Sequence, residues 1–348
     1  MPLKEPVGKF TLKEILSQPE AWEKTLADLS NIDASSLPKP LDYDTIIFTG
    51  CGSTYYLSIW AARLMQRIQG VNAQVIPASE LWYSAESWLK PYKKVLLVAV
   101  SRSGETSETL HAVKIFNSMG IGKSISITCY PDSKLPKLTH QSIITPAGQE
   151  ISIAQTRSFS NMMLATSFLI HQGIQGVAGI KEYAEQFINK YKEVSAQIGR
   201  DPSLERFFFL GNGPLFGLAN EIMLKMKEMS LSYSEAYHFL EFRHGPMSMV
   251  NDRSLVLAFL SDFAMDFELA VIKDMKKIGA QILAIGSAEA ILKNEGLFNY
   301  AFPIDDHISG FFRDPFYLPL LQLIAFERSL SNGLNPDKPN NLTAVVEL

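Results

Sequence analysis

The chain has 348 residues, about the length of two domains, and its 47% hydrophobic content is enough for ordinary cores. Its 32 basic and 36 acidic residues leave a formal net charge of −4, which excludes a dedicated nucleic-acid surface but leaves room for a local anion pocket. Two cysteines, Cys51 and Cys129, exclude a disulfide scaffold and suit a reducing compartment.

The opening residues, MPLKEPVGKFTLKEILSQ, are charged and lack the apolar centre of a signal peptide. No run of 18 uncharged apolar residues follows, so no membrane partner is expected and the cytoplasm is the expected location. Residues 1–40 read as a helical N-terminal extension that ends in a Pro-containing connector. Short apolar runs then alternate with longer helical stretches. Strands are predicted at Thr45–Thr49, Val95–Val100, Ser124–Thr128 and Ser142–Thr145, and helices at Tyr55–Gln69, Thr106–Met119 and Ala154–Gln172. Leu96–Val100 is continuously apolar, as a strand buried on both faces is. The alternation predicts an α/β fold with a parallel sheet and crossover helices.

The second half repeats the plan. Arg206–Leu210 leads into Gly211-Asn212-Gly213, and further strands are predicted at Ser254–Leu260 and Gln281–Gly286. Pairing Ile46 with Phe207, Leu96 with Val256 and Ile125 with Leu283 gives offsets of 158 to 161 residues, the mark of an internal duplication. The expected organisation is therefore an extension at 1–40 and two tandem doubly wound domains at 41–199 and 200–348. The boundary between the two falls near Gly199–Leu204.

Gly50-Cys51-Gly52-Ser53-Thr54 follows the first strand. It suits either an anion at a helix N-terminus or a tight turn with an N-cap. Cys51 reads as a small packing residue rather than a nucleophile, since no base accompanies it. Ser101-Arg102-Ser103-Gly104-Glu105-Thr106 follows the buried strand and brings three hydroxyls, a guanidinium and a glycine ahead of a helix. Capping accounts for one serine, whereas a phosphate uses all of these donors. Strand ends of this kind are also where ligands sit in open α/β sheets. On the predicted helix Asn220–Ser230, Glu221, Lys225 and Glu228 fall on one face. His244 follows on an irregular segment before Gly245-Pro246. A carboxylate and an imidazole are the minimum equipment for moving protons between the first two carbons and the ring oxygen of a sugar. The six histidines show no helical zinc spacing, and neither a metal nor another cofactor is expected.

Over residues 40–348 the sequence resembles the double-domain sugar isomerase (SIS) proteins, specifically the isomerase half of glucosamine-6-phosphate synthase and its stand-alone relatives. The motifs carrying the resemblance are Cys51–Thr54, Ser101–Thr106, Glu150–Phe159, Lys225–Glu228, Glu235–Tyr237, Arg243–Pro246 and Pro339–Leu342. The resemblance implies phosphate contacts from Ser101, Arg102, Ser103 and Thr106, contacts to phosphate or hydroxyls from Ser53 and Thr54, and sugar contacts from Ile153 and Gln155. It further implies that Glu228 is the enolisation base, supported by Glu221 and Lys225. His244 is implied to open the ring in the neighbouring subunit's site, so that a homodimer shares its active sites.

Two departures from that family refine the expectation. No glutaminase segment is present in this sequence, and Ala344 stands where the synthase has a lysine near the anomeric carbon. The expected activity is thus aldose–ketose isomerisation or isomerising deamination of a hexosamine 6-phosphate, without ammonia drawn from glutamine. A fructosamine-6-phosphate deglycase and a non-catalytic sugar-phosphate sensor are the alternatives.

Overall fold

The computed structural model describes residues 6–174, 179–308 and 310–343. These divide into two compact bodies. One holds Ser17–Glu150 and Gln155–Lys181; the other holds the residues up to Leu16, Ile151–Ala154 and Glu182–Leu342.

The first body is built on strands β1 (Thr45–Gly50), β2 (Ala73–Pro77), β3 (Val95–Val100), β4 (Gly122–Thr128) and β5 (Gln141–Ile144), all parallel, in the order β2-β1-β3-β4-β5. The second uses β6 (Arg206–Leu210), β7 (Tyr233–Tyr237), β8 (Ser254–Phe259), β9 (Gln281–Ser287) and β10 (Tyr300–Ile304), in the order β7-β6-β8-β9-β10. The two orders are identical, so the duplication inferred from sequence spacing extends to the edge strands. Those edge strands account for the elements that periodicity missed. β2 carries Gln74 and Pro77, β10 carries Pro303, and β7 exposes Tyr233 and Glu235. Prolines and polar alternation are tolerated at an edge, where one side of the ladder is unpaired.

Helix α1 (Lys9–Leu16) belongs to the second body and α2 (Gln18–Ser30) to the first, so the N-terminal extension is divided between them. The first body continues with α3 (Ser53–Gln69), α4 (Ala78–Leu89), α5 (Ser107–Met119), α6 (Lys134–Leu138) and α7 (Arg157–His171). Alternate residues of the central strands, Ile47, Leu97 and Ala99, pack on Leu81, Ala85 and Leu89 of α4 and on Leu110, Val113 and Phe116 of α5. α3 and α7 pack together, with α3 also against β1. Each of the larger of these buried side chains contributes roughly 1.5–3 kcal/mol. α7 begins at Arg157 rather than at Ala154, because residues 151–156 form an irregular segment.

The second body carries α8 (Ile180–Arg200), α9 (Leu215–Ser230), α10 (Phe239–Phe242), α11 (Met265–Ile278), α12 (Ala288–Lys293), α13 (Gly310–Phe316) and α14 (Leu318–Ser331). Its core joins Val256, Ala258, Ile282 and Ala284 to Ile272 and Met275 of α11, with Phe239 and Phe242 of α10. Among the described residues no helix is long and apolar enough to cross a membrane.

Candidate active site

In the first sheet the direction of strand progression reverses between β1 and β3. Helices that follow the two strands diverge there and open a crevice at the carboxyl ends. Both hydroxyl-rich motifs lie at this point, Gly50–Thr54 after β1 and Ser101–Thr106 after β3. Gly50 is required by close approach, since a Cβ would stand 2.6 Å from Thr54 Oγ1. Thr54 Oγ1 accepts from Cys51 N–H (3.0 Å) and donates to the Cys51 carbonyl (2.9 Å). Its hydroxyl therefore ties the turn, while Ser53 is buried beside it.

The loop after β3 is closed on itself. Ser101 Oγ accepts from Gly104 N–H (3.2 Å) and lies 3.3 Å from Thr106 Oγ1; Ser103 Oγ accepts from Glu105 N–H (3.1 Å). Gly104 has φ +65°, and a Cβ there would meet Ser133 Oγ at 2.0 Å. Conformation and space both demand glycine. Thr106 caps α5 without a side-chain cap bond, at the end of the helix where the dipole favours an anion. Ser101, Ser103 and Thr106 thus lie together at the N-terminus of α5.

Arg102 also has a partner within its own body. Its guanidinium pairs with the Glu150 carboxylate (Nη1–Oε2 3.4 Å), and both side chains are nearly or wholly buried. Glu150 also accepts from Thr156 N–H and Thr156 Oγ1, both at 2.7 Å, and from Ser158 N–H at 3.0 Å. The arginine thus neutralises a buried carboxylate that caps α7, and its charge is not held in reserve for phosphate alone. Glu150 is a residue that sequence reasoning passed over; its signal was an acidic group a few residues ahead of Thr156-Arg157-Ser158. Of the two expected sugar contacts, Ile153 is half-buried in the second body, and Gln155, in the first, has a buried Oε1 with no hydrogen bond.

On α9 the i, i+4, i+7 spacing places its three charged residues together. Lys225 is fully buried, with Nζ 3.5 Å from Glu221 Oε1 and hydrogen-bonded to Glu228 Oε2. Glu221 is equally buried, whereas Glu228 keeps about a fifth of its side chain accessible. A buried ammonium needs compensating negative charge, and this one has an ion pair with Glu221 and a hydrogen bond to Glu228. Of the two carboxylates, only that of Glu228 is partly accessible. His244, on the segment after α10, is exposed on its own body, and the following Gly245 has φ +125°. Ala344 lies outside the described residues.

The duplicated crevice of the second body is filled from within. Glu268 of α11, 160 residues after Glu108, is buried. It accepts from Ser261 N–H (2.8 Å), Ser261 Oγ (2.7 Å) and Asn212 Nδ2 (2.9 Å). Ser261 is the counterpart of Ser101. Phe263 crowds Gly213 so closely that a Cβ there would meet its ring at 2.9 Å. Burial raises the Glu268 carboxyl above the usual range, with its hydrogen bonds opposing. A resident carboxylate thus occupies the donors of Ser261 and Asn212 in the second body.

Neither thiol is primed for chemistry: burial pushes Cys51 up to about 11 and Cys129 up to about 12. Among the described residues no cluster of three or more His, Cys, Asp or Glu could hold a metal ion.

A family model described as SIS domain matches residues 41–172 and 203–326. The glutamine–fructose-6-phosphate aminotransferase (isomerizing) of Methanothermobacter thermautotrophicus is 28% identical over 97% of the chain, and that of Sulfolobus acidocaldarius 29% over 99%. The chain spans 57% of the length of each. Among solved structures, a glucosamine-6-phosphate deaminase from Thermotoga maritima superposes with a TM-score of 0.79 and 28% identity, covering 97% of this chain and 99% of that one. A tagatose-6-phosphate ketose/aldose isomerase from Escherichia coli shares the fold at a TM-score of 0.83 and 22% identity, covering 95% of each chain.

Proposed function

Because the chain belongs to the SIS domain family, we propose that it is a sugar-phosphate isomerase and isomerising deaminase acting on a hexosamine 6-phosphate. The observation that carries this reading is the Glu228 carboxylate, partly accessible and held by the buried Lys225 ammonium. The open cradle at Ser101–Thr106 supports the phosphate end of the substrate, with Ser53 and Thr54 on the neighbouring turn. Similarity to the Thermotoga maritima deaminase over nearly the full length of both chains supports deamination over amino transfer.

In this mechanism the phosphate docks on the α5 N-terminus and the loop hydroxyls, while Ile153 and Gln155 contact the sugar. His244 opens the ring by moving a proton to the ring oxygen. Glu228 removes the C2 proton of the open-chain aldehyde, giving an enolamine with hydroxyl on C1, and returns the proton to C1. The resulting C2 imine takes up water and releases ammonia, leaving the ketose phosphate. Glu221 keeps the Lys225 ammonium in place. No cofactor takes part. The exposure of His244 on its own body fits donation to the site of a second copy, which makes a homodimer the active form.

Incubation with glucosamine 6-phosphate should release ammonia and fructose 6-phosphate in equal amounts. Glu228→Gln should lower the rate by roughly 10²–10⁴-fold, the usual contribution of a general base. Undiminished turnover in that variant would remove Glu228 from its role. Release of an amino acid from a fructosamine 6-phosphate, without ammonia from the amino sugar, would make the chain a deglycase. Binding without turnover across both substrate classes would make it a sensor.

A further inference from the structure

Helix α1 precedes both segments that match the family model, yet it carries a carboxylate aimed at the substrate-side loop. Glu14 is almost wholly buried. Its Oε1 accepts from Ile151 N–H at 2.6 Å, its Oε2 accepts from Ser152 N–H at 3.3 Å, and Ser152 Oγ donates to the same Oε2. Two consecutive backbone amides and a hydroxyl thus converge on one carboxylate. Residues 151–154 have no helix or strand of their own, so no regular backbone ladder holds them. Side-chain acceptors must set the path of such a segment. Ser152 is itself buried while Ile151 is exposed, so Glu14 grips the segment from the inside, immediately ahead of the half-buried Ile153.

The other end of α1 is anchored just as firmly. Asp337 accepts from Phe10 N–H (3.3 Å), Thr11 N–H (2.7 Å) and Thr11 Oγ1 (2.8 Å). This places an anion at the helix N-terminus, where the dipole favours it. Gly8, at φ +76°, lets the chain lie against the Phe326 ring of α14, which a Cβ would strike at 2.6 Å. Helix α1 is therefore a short strut, seated on α14 and on the segment just ahead of Pro339–Leu342, and ending in the Glu14 grip.

We propose that Glu14 is a positioning residue for the substrate: acting through Ile151 and Ser152, it sets the placement of Ile153 against the sugar. The inference rests on the reading above, in which Ile153 contacts the sugar and the cradle holds its phosphate. Gln at position 14 keeps the shape but offers one acceptor and a competing NH₂ donor to three donors. Glu14→Gln should raise KM for glucosamine 6-phosphate on the order of tenfold, the scale of one lost charge-assisted hydrogen bond, with kcat nearly unchanged. Protection by inorganic phosphate in a thermal melt should be unaltered, because phosphate alone does not use this segment. Glu14→Asp, which retains the charge, should lie nearer wild type than Gln does.

Should Glu14→Gln fail to fold, Ser152→Ala removes only the hydroxyl donor and should raise KM in the same direction by less. The assignment is overturned if these variants bind and turn over the sugar phosphate as wild type does while Glu228→Gln is inactive. It is overturned equally if sugar phosphate and inorganic phosphate weaken together, which would mark a general loosening. If the wild-type protein shows no turnover, the catalytic reading fails instead. The ratio of fructose 6-phosphate to inorganic phosphate affinity in the same variants then still decides the role of Glu14.

Discussion

Lys225 and Glu221 lie one helical turn apart with Nζ and Oε1 3.5 Å from each other, and both side chains are completely shielded from solvent. Such a pair is costly to assemble and more costly to break, because removal of one partner strands a charge. Lys225→Met leaves two carboxylates facing each other and should destabilise the second body by about 3–5 kcal/mol while abolishing turnover. Glu221→Gln should cost less stability, because Glu228 still pairs with the ammonium. Denaturant midpoints read beside kcat test this. A Lys225→Met protein with wild-type stability would show that the ammonium is not what holds the face together.

The Arg102–Glu150 pair makes a different prediction from a free phosphate-binding arginine. Arg102→Ala should lower stability as well as phosphate affinity, and Glu150→Gln in the same chain should restore part of the loss. A double-mutant cycle should give a coupling of roughly 0.5–3 kcal/mol, as contacting residues do. A coupling of zero, with only phosphate affinity changed, would return Arg102 to the ligand.

Gly104 and Gly70 share the same φ of +65°, but a Cβ at Gly70 meets nothing within 4 Å whereas one at Gly104 meets Ser133. Gly70→Ala should therefore cost only the left-handed penalty of roughly 1–2 kcal/mol. Gly104→Ala should cost more and should also weaken phosphate binding. Equal losses, measured by chemical denaturation, would show that Ser133 yields freely.

Glu268 provides a pH signature. Burial raises its carboxyl pKa in the folded state, so the native chain holds the proton more tightly than the unfolded chain. The stabilisation is complete below the ordinary glutamate value and is lost as pH rises through the raised one. Unfolding free energy should therefore fall through this group as pH rises above the ordinary glutamate value, and Glu268→Gln should flatten that part of the profile. An unchanged slope in the variant would remove Glu268 as its source.

The thiols should be quiet. With Cys51 at about 11 and Cys129 at about 12, thiolate is scarce at pH 8, and iodoacetamide should modify the native protein far more slowly than the unfolded chain. Prompt labelling of Cys51 would contradict this.

The central strands were legible because sheets covered on both faces write continuous apolar runs such as Val95–Val100. The steady offset between halves made the duplication legible as well. Strands β2, β7 and β10 were not, since an edge admits the prolines and polar residues that erase a strand pattern. The helix face of Glu221, Lys225 and Glu228 followed from spacing alone. What spacing could not reveal was the partner of each charged group. Arg102 on Glu150, Glu14 on Ser152 and Glu268 on Ser261 are pairings across 48, 138 and 7 residues, and even the shortest depends on a turn whose geometry the sequence does not state.

The resident carboxylate at Glu268 has a thermodynamic consequence. Ser261 and Asn212 are already engaged by a group that cannot diffuse away, whereas the hydroxyls of Ser101, Ser103 and Thr106 bond within their own loop. A metabolite that binds the native state stabilises it by mass action, by about 2.7 kcal/mol at a hundredfold excess over Kd. In this chain that linkage reaches one half of a duplicated protein. On addition of a sugar phosphate, amide hydrogen exchange should slow in the loop from Ser101 to Thr106 and stay constant in the matching loop from Ser261 to Ala264. On the proposed reading, duplication should thus have left two crevices of the same build, one whose local stability follows the concentration of a ligand and one whose stability is constant.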